Sequence, residues 1–308
     1  MADASLELYD PRNGDLALKI EPLAGRDDLC RPRRFNCFAV YWVQDGEGTF
    51  WADLACHPFR PGSLLFFVPY QALRLVPDRP VRGLAVQFHA NFLCIETYHE
   101  EVGCNGVLFN DIYGVPSIQL HPPHEKEIAD LFGAMQREMQ EEGLAHVELL
   151  LSYLKIFLVK ATRLKLDQQP IDWQASGKMP ALLDDLKRLV EADYRTLHSP
   201  ADYARRLYIT PKALGKLVKT HLHKTLTELI RERILKQAKW DLLHTLRPVK
   251  QIAAELGFAD ELYFSRLFKR TTGCAPTFFR EYETAIRGGS NLSMSLRQPS
   301  IPAPPSPA

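Results

Sequence analysis

The chain has 308 residues, 46% of them hydrophobic and 24% charged, which suits one or two globular domains and excludes a fibre or a wholly disordered polymer. No run of about 18 apolar residues occurs, and residues 1–30 lack the basic-then-apolar order of a secretion signal, so a cytoplasmic protein without a membrane span is expected. The net charge of +1 hides a division: residues 181–287 hold 20 Lys/Arg against 13 Asp/Glu, and residues 1–180 hold 17 against 24, so a polyanion would meet the C-terminal part alone.

In chain order, the first predicted elements are strands at Asn36–Val43, Thr49–Leu54, Ser63–Val68 and Gly83–Phe88. They are rich in aromatic and β-branched residues and are separated by Asp45-Gly46-Glu47-Gly48, Pro61-Gly62 and Pro77-Asp78-Arg79-Pro80. Such spacing predicts a β-barrel or sandwich. In Cys37-Phe38-Ala39-Val40-Tyr41-Trp42-Val43 both alternating faces are apolar, which predicts a strand covered on both sides. Two helices follow, over Glu125–Glu142 and Leu144–Lys165. The second carries a broad apolar stripe: packing on the barrel accounts for part of it, and Leu150, Leu151, Leu154, Phe157 and Leu158 are its candidates for a homodimer contact. Residues 166–180 read as a linker, and residues 288–308, ending in a Pro/Ser/Ala-rich stretch, as a disordered tail. Six cysteines (Cys30, Cys37, Cys56, Cys94, Cys104, Cys274) form no C-x-x-C pair, so neither a zinc site nor a disulfide framework is predicted.

Within residues 181–287 two segments match. Ala204-Arg205-Arg206-Leu207-Tyr208-Ile209 leads into Leu214-Gly215-Lys216-Leu217-Val218-Lys219, and Ala253-Ala254-Glu255-Leu256-Gly257-Phe258 leads into Phe264-Ser265-Arg266-Leu267-Phe268-Lys269. A small residue where two helices cross, a tight turn, and a second helix with cations on its free face describe a helix-turn-helix. Thr210 and Asp260 are predicted caps, with Pro211 at a first helical position. Outward-facing Lys212, Lys216, Glu261, Leu262, Ser265 and Arg266 are the candidates for reading base edges, Arg266 by bidentate pairing with guanine. Thr210, Lys219, Lys269 and Arg270 are the candidates for phosphate. A helix over Thr225–Thr245 would separate the units by about 30 Å, close to one turn of double-stranded DNA.

Arg233-Ile234-Leu235-Lys236-Gln237-Ala238, Ile252 to Phe258, Tyr263 to Arg270 and Gly273-Cys274-Ala275-Pro276-Thr277-Phe278-Phe279-Arg280 closely resemble the motif of AraC/XylS-type transcriptional regulators. The resemblance covers roughly residues 180–286. It implies a bihelical domain that binds promoter DNA, usually as an activator that recruits RNA polymerase. More weakly, Gly46-Glu47-Gly48-Thr49 and Phe59 to Pro69 resemble the cupin-like effector domain often found in that family. The sequence departs from the family at Gly215, where a base-reading side chain is common, and within His221-Leu222-His223.

The expected fold class is therefore α+β in two domains: a cupin-like effector barrel over 1–120, dimerisation helices over 121–165, the linker, an all-α double helix-turn-helix domain over 181–287, and the tail. A cupin enzyme would need a His-x-His pair, a nearby Glu and a further His. After Pro69 the chain reads Tyr70-Gln71-Ala72-Leu73-Arg74-Leu75, and His57 and His89 stand far apart, so no catalytic residue, metal or cofactor is expected. Trp42, Trp51, Phe67, Tyr70, Arg74, Gln87 and His89 are candidates for a small-molecule effector pocket, with Arg74 suited to an anion. Control by a protein partner in place of a small molecule fits the same sequence.

Overall fold

A computed structural model describes residues 5–11, 14–23, 29–93, 107–109, 111–168 and 178–288. Cys94, Cys104, the centre of the predicted linker (169–177) and the predicted tail beyond residue 288 lie outside the described residues.

Among the described residues the N-terminal half holds nine strands: β1 (Leu6–Tyr9), β2 (Leu16–Pro22), β3 (Phe38–Asp45), β4 (Gly48–Ala52), β5 (Ala55–Phe59), β6 (Ser63–Phe67), β7 (Leu73–Pro77), β8 (Arg82–Phe88) and β9 (Ser117–Gln119). They form two open sheets, ordered β1-β2-β8-β3-β6-β9 and β5-β4-β7, so the predicted barrel is not closed. The double-sided apolar pattern of β3 explains the layering. Ala39, Tyr41 and Val43 face Phe50, Phe59, Leu73 and Leu75 between the sheets. Phe38, Val40 and Trp42 point the other way, into a second core under two helices. Leu64, Phe66, Val86 and Phe88 repeat that alternation on β6 and β8, as period-2 side chains on a doubly covered sheet must.

The covering helices are α1 (Pro122–Glu141) and α2 (His146–Gln168). Ala145 adopts a left-handed φ of 59° and Leu144 is fully exposed, so α2 starts after Leu144 and that residue is not part of its stripe. Leu150, Leu154, Phe157 and Leu158, expected at a subunit contact, are completely buried against the sheet, and half-buried Leu151 packs on the same core. The stripe is spent inside the protomer, and the large apolar side chains that α2 leaves exposed are Leu149, Ile156 and Leu166.

The C-terminal half is helical: α3 (Lys178–Asp193), α4 (Pro200–Arg206), α5 (Pro211–Leu222), α6 (Leu226–His244), α7 (Val249–Glu255), α8 (Glu261–Thr272) and α9 (Pro276–Gly288). The predicted Thr225–Thr245 helix is α6 with its caps. Thr225 accepts from Glu228 N–H and Glu228 closes a capping box on Thr225 N–H. One core, including Tyr203, Leu214, Ile230, Leu242, Ile252, Phe264 and Phe268, unites these helices. The architecture is thus a sheet domain followed by a helical domain, the coarse form of the expected α+β arrangement. Among the described residues no helix is long and apolar enough to cross a membrane.

Candidate nucleic-acid interface

α4 with α5, and α7 with α8, are two helix-turn-helix units built on one backbone plan. In the first, Ile209 N–H donates to Ala204 C=O (3.0 Å) and Tyr208 N–H to Arg205 C=O (3.2 Å); in the second, Phe258 N–H donates to Ala253 C=O (2.9 Å) and Gly257 N–H to Ala254 C=O (3.0 Å). Both are Schellman turns. Ala204 and Ala253 are buried at the helix crossing, where a larger side chain would hold the helices apart.

The residue in the left-handed position differs between the units, and the surroundings say why. Tyr208 (φ 55°) is 95% exposed, so its side chain meets nothing and the conformation costs about 1 kcal/mol. Gly257 (φ 82°) has no such room: a Cβ there would lie 2.1 Å from Arg195 C=O and 3.1 Å from the His198 ring. The second turn is pressed against the connection between α3 and α4, and only glycine fits.

The second helices of the units start from the predicted caps. Thr210 Oγ1 accepts from Ala213 N–H at 3.2 Å ahead of Pro211, and Asp260 Oδ1 accepts from Leu262 N–H at 2.8 Å. The second unit carries one extra residue, Ala259, before its cap. Beyond the cap, burial falls in the same order on both helices: Leu214, Leu217 and Val218 match Phe264, Leu267 and Phe268. Gly215 then matches Ser265, Lys216 matches Arg266, Lys219 matches Lys269, and Lys212 matches Leu262.

Lys212, Lys216, Leu262 and Arg266 are exposed on these free faces, and Ser265 and Glu261 are half-buried at their edge. Thr210, Lys219, Lys269 and Arg270 are also exposed, and none of the four cations among Lys212, Lys216, Lys219 and Lys269 forms a salt bridge with a described residue. Arg266 is held: its guanidinium lies 3.7 Å from the Asp260 carboxylate, and its Nε donates to Leu262 C=O at 3.3 Å. The arginine must trade those partners to reach a base. Above Gly215 there is open space.

The effector candidates do not converge. Trp42 packs on Phe132 in the core beneath α1, and Phe67 lies between the sheets. Arg74 covers the Trp51 ring at 4.5 Å on the small sheet, as their cross-strand register dictates. Gln87 donates to Glu21 at 3.0 Å and accepts from the Cys37 thiol. Tyr70 and His89 instead reach the helical half, where the Tyr70 hydroxyl donates to Glu283 and His89 Nε2 lies 3.6 Å from that carboxylate. A cavity of about 290 Å³ opens there, between the two halves, lined by His57, Tyr70, Gln71, Lys224, Lys239 and Phe279 among others.

The electrostatics of this seam were invisible in sequence. Burial, then the charges of His223 and Lys224, hold His57 down to about 4. Burial pushes the carboxyls of Asp53 and Glu232 up, the latter despite its Lys224 partner at 2.7 Å. No cluster of three or more metal-ligating side chains occurs among the described residues.

A family model described as a helix-turn-helix domain matches residues 203–282. The arabinose operon regulatory protein of Escherichia coli (strain K12) is 26% identical over 223 residues, 72% of this chain and 72% of that protein. The raffinose operon transcriptional regulatory protein RafR of Pediococcus pentosaceus is 24% identical over 265 residues, 80% of this chain and 85% of the relative. ToxT from Vibrio cholerae, a solved structure, aligns over 87% of this chain and 98% of its own at 15% identity, with a TM-score of 0.35. Residues 203–282 thus form a helix-turn-helix domain with two capped units, and over most of its length the chain is similar to DNA-binding transcriptional regulators of the AraC type.

Proposed function

We propose that the protein is a cytoplasmic activator that binds two successive major grooves of promoter DNA and recruits RNA polymerase. The observation that carries this reading is the shared exposure order of α5 and α8, which presents Lys212 and Lys216 on one helix and Glu261, Leu262, Ser265 and Arg266 on the other. Thr210, Lys219, Lys269 and Arg270 flank these faces and serve the phosphates. Selection of duplexes from random DNA by the full chain tests the reading: two sub-sites about 10 base pairs apart are expected, and enrichment of no sequence would refute it. Transcription from a selected promoter, with and without the protein, tests the sign of regulation.

A small-molecule effector modulates that binding in this proposal. Its seat is the cavity between the halves, where a ligand would touch groups of both domains at once, and of the seven effector candidates only Tyr70 lines it. Thermal-shift screening of metabolites against wild type and Tyr70→Ala separates this from control by a protein partner, under which no metabolite stabilises the protein. Homodimerisation is proposed through the exposed Leu149, Ile156 and Leu166 of α2. Sedimentation of Ile156→Glu against wild type tests it, since a contact there predicts dissociation.

A further inference from the structure

We propose that the sheet domain is a strut that sets the relative placement of the two reading helices, because it grips each helix-turn-helix unit at the same point, just past the C-terminal end of its reading helix. The proposal rests on the DNA-reading assignment and goes beyond it.

The units align with His223 against Gly273 as left-handed C-caps, φ 55° and 89°. At the first, Lys224 follows the cap, is 8% exposed, and donates to Ile112 C=O of the sheet domain at 2.9 Å as well as to Glu232. His57 of β5 stacks edge-on against the His223 ring, with centroids 5.5 Å apart. At the second, Arg34 of the sheet domain donates to Arg270 C=O at 3.4 Å, and its side chain comes within 3.5 Å of where a Cβ on Gly273 would sit. The last carbonyls of a helix lack partners within it and carry the negative end of its dipole, so a guanidinium there is a cap supplied from another domain.

Both grips come from one body. Tyr70 N–H donates to Phe35 C=O, which ties the Arg34 segment to the Tyr70 turn. That turn reaches α9, directly after α8, where the Tyr70 hydroxyl donates to Glu283 and its ring meets Phe279 edge-on at 5.0 Å. Lys239 of α6 adds a bond to Pro69 C=O at 3.0 Å. Glu283 is 2% exposed. Burying an ammonium and a carboxylate in a seam adds little stability over apolar packing, but it fixes direction. The grips also leave the reading faces clear: Lys212, Lys216, Lys219, Arg266 and Lys269 are all exposed in the docked arrangement. The docked state is therefore competent to bind DNA, and Lys224, Arg34, Tyr70 and Glu283 are positioning residues.

The test uses the full chain and a duplex selected by it, with the sub-sites moved apart by insertions of about one to five base pairs, alongside a duplex carrying the second sub-site alone. Tyr70→Phe and Lys224→Met are each expected to flatten the wild-type dependence on spacing by about fivefold or more, the lower end of usual coupling between sites. Affinity of Arg34→Ala, which lies outside the cavity, for the single sub-site stays within about twofold. Arg34→Ala, on the surface, gives a smaller flattening and keeps the test open if Lys224→Met does not fold. An unchanged spacing profile in all variants would overturn the inference, and so would an equal loss on every duplex, which is what general destabilisation gives. A wild-type chain that selects no duplex would overturn the DNA-reading assignment instead.

Discussion

The two helix-turn-helix units share their turn hydrogen bonds and burial order yet differ where each meets its surroundings. In the first the left-handed residue faces solvent, so a tyrosine is tolerated; in the second it faces Arg195 and His198, and glycine is obligatory. Their reading faces diverge in the same sense. The first presents lysines around Gly215, while the second offers Ser265 and an arginine poised on Asp260. A planar guanidinium with a fixed fork of donors reads a base better than a point-charged ammonium does. The comparison teaches that a unit can be locked in its fold and rich in sequence readout, or relaxed in both, on one backbone plan.

Exchanging the turn residues breaks the comparison most severely. Gly257→Tyr puts a side chain into Arg195 C=O and should cost several kcal/mol, about 3 or more, unfolding the helical domain at ordinary temperature. Tyr208→Gly should lie within about 1 kcal/mol of wild type, because relief of left-handed strain offsets the added freedom of the unfolded chain. Thermal melts of both variants check the asymmetry.

Arg266→Ala comes next, with a loss of about 1–3 kcal/mol of discrimination at one base position of the second sub-site. Lys216→Ala at the matching place should relax its sub-site less. Binding to single-base variants of a selected duplex measures both. Lys269→Ala should weaken every sequence alike and lower the salt slope by about 1, as fluorescence anisotropy over a salt series would record.

The last prediction concerns the seam. His57 is held near 4 in the folded protein, against 6.5 when free, by burial first and then by His223 and Lys224. Between those values the unfolded chain binds more protons, so stability falls as pH drops from 6.5 toward 4, by at most about 1.4 kcal/mol per pH unit. His57→Gln should reduce that slope in chemical denaturation across the window, and an unchanged slope would remove His57 from the account.

Much of the helical domain was legible in the sequence because its determinants are local. Ala204 and Ala253, the caps Thr210 and Asp260, and the turn residues act within a few positions of themselves. The doubly covered β3 was legible for the same reason. Five strands were not: β5 carries Cys-His-Pro, β9 has three residues, and β1, β2 and β7 lack a bounded aromatic run. The apolar stripe of α2 marked burial correctly but could not say against what, and the sheet took Leu150, Leu154, Phe157 and Leu158. Placement of the effector candidates failed to converge because strand register decides which way Trp42 and Trp51 point. The contacts of the seam around Tyr70, Lys224, Glu283 and Arg34 were not legible in the sequence, since they join residues up to 236 positions apart.

The most direct test of the account is the base preference of the whole protein, read from duplexes it selects out of random DNA. Two sub-sites about 10 base pairs apart should emerge, sharply specified where α8 lies and loosely where α5 lies. Two equally sharp sub-sites, or a sharp site assigned to α5 by the Lys216→Ala and Arg266→Ala variants, would contradict it.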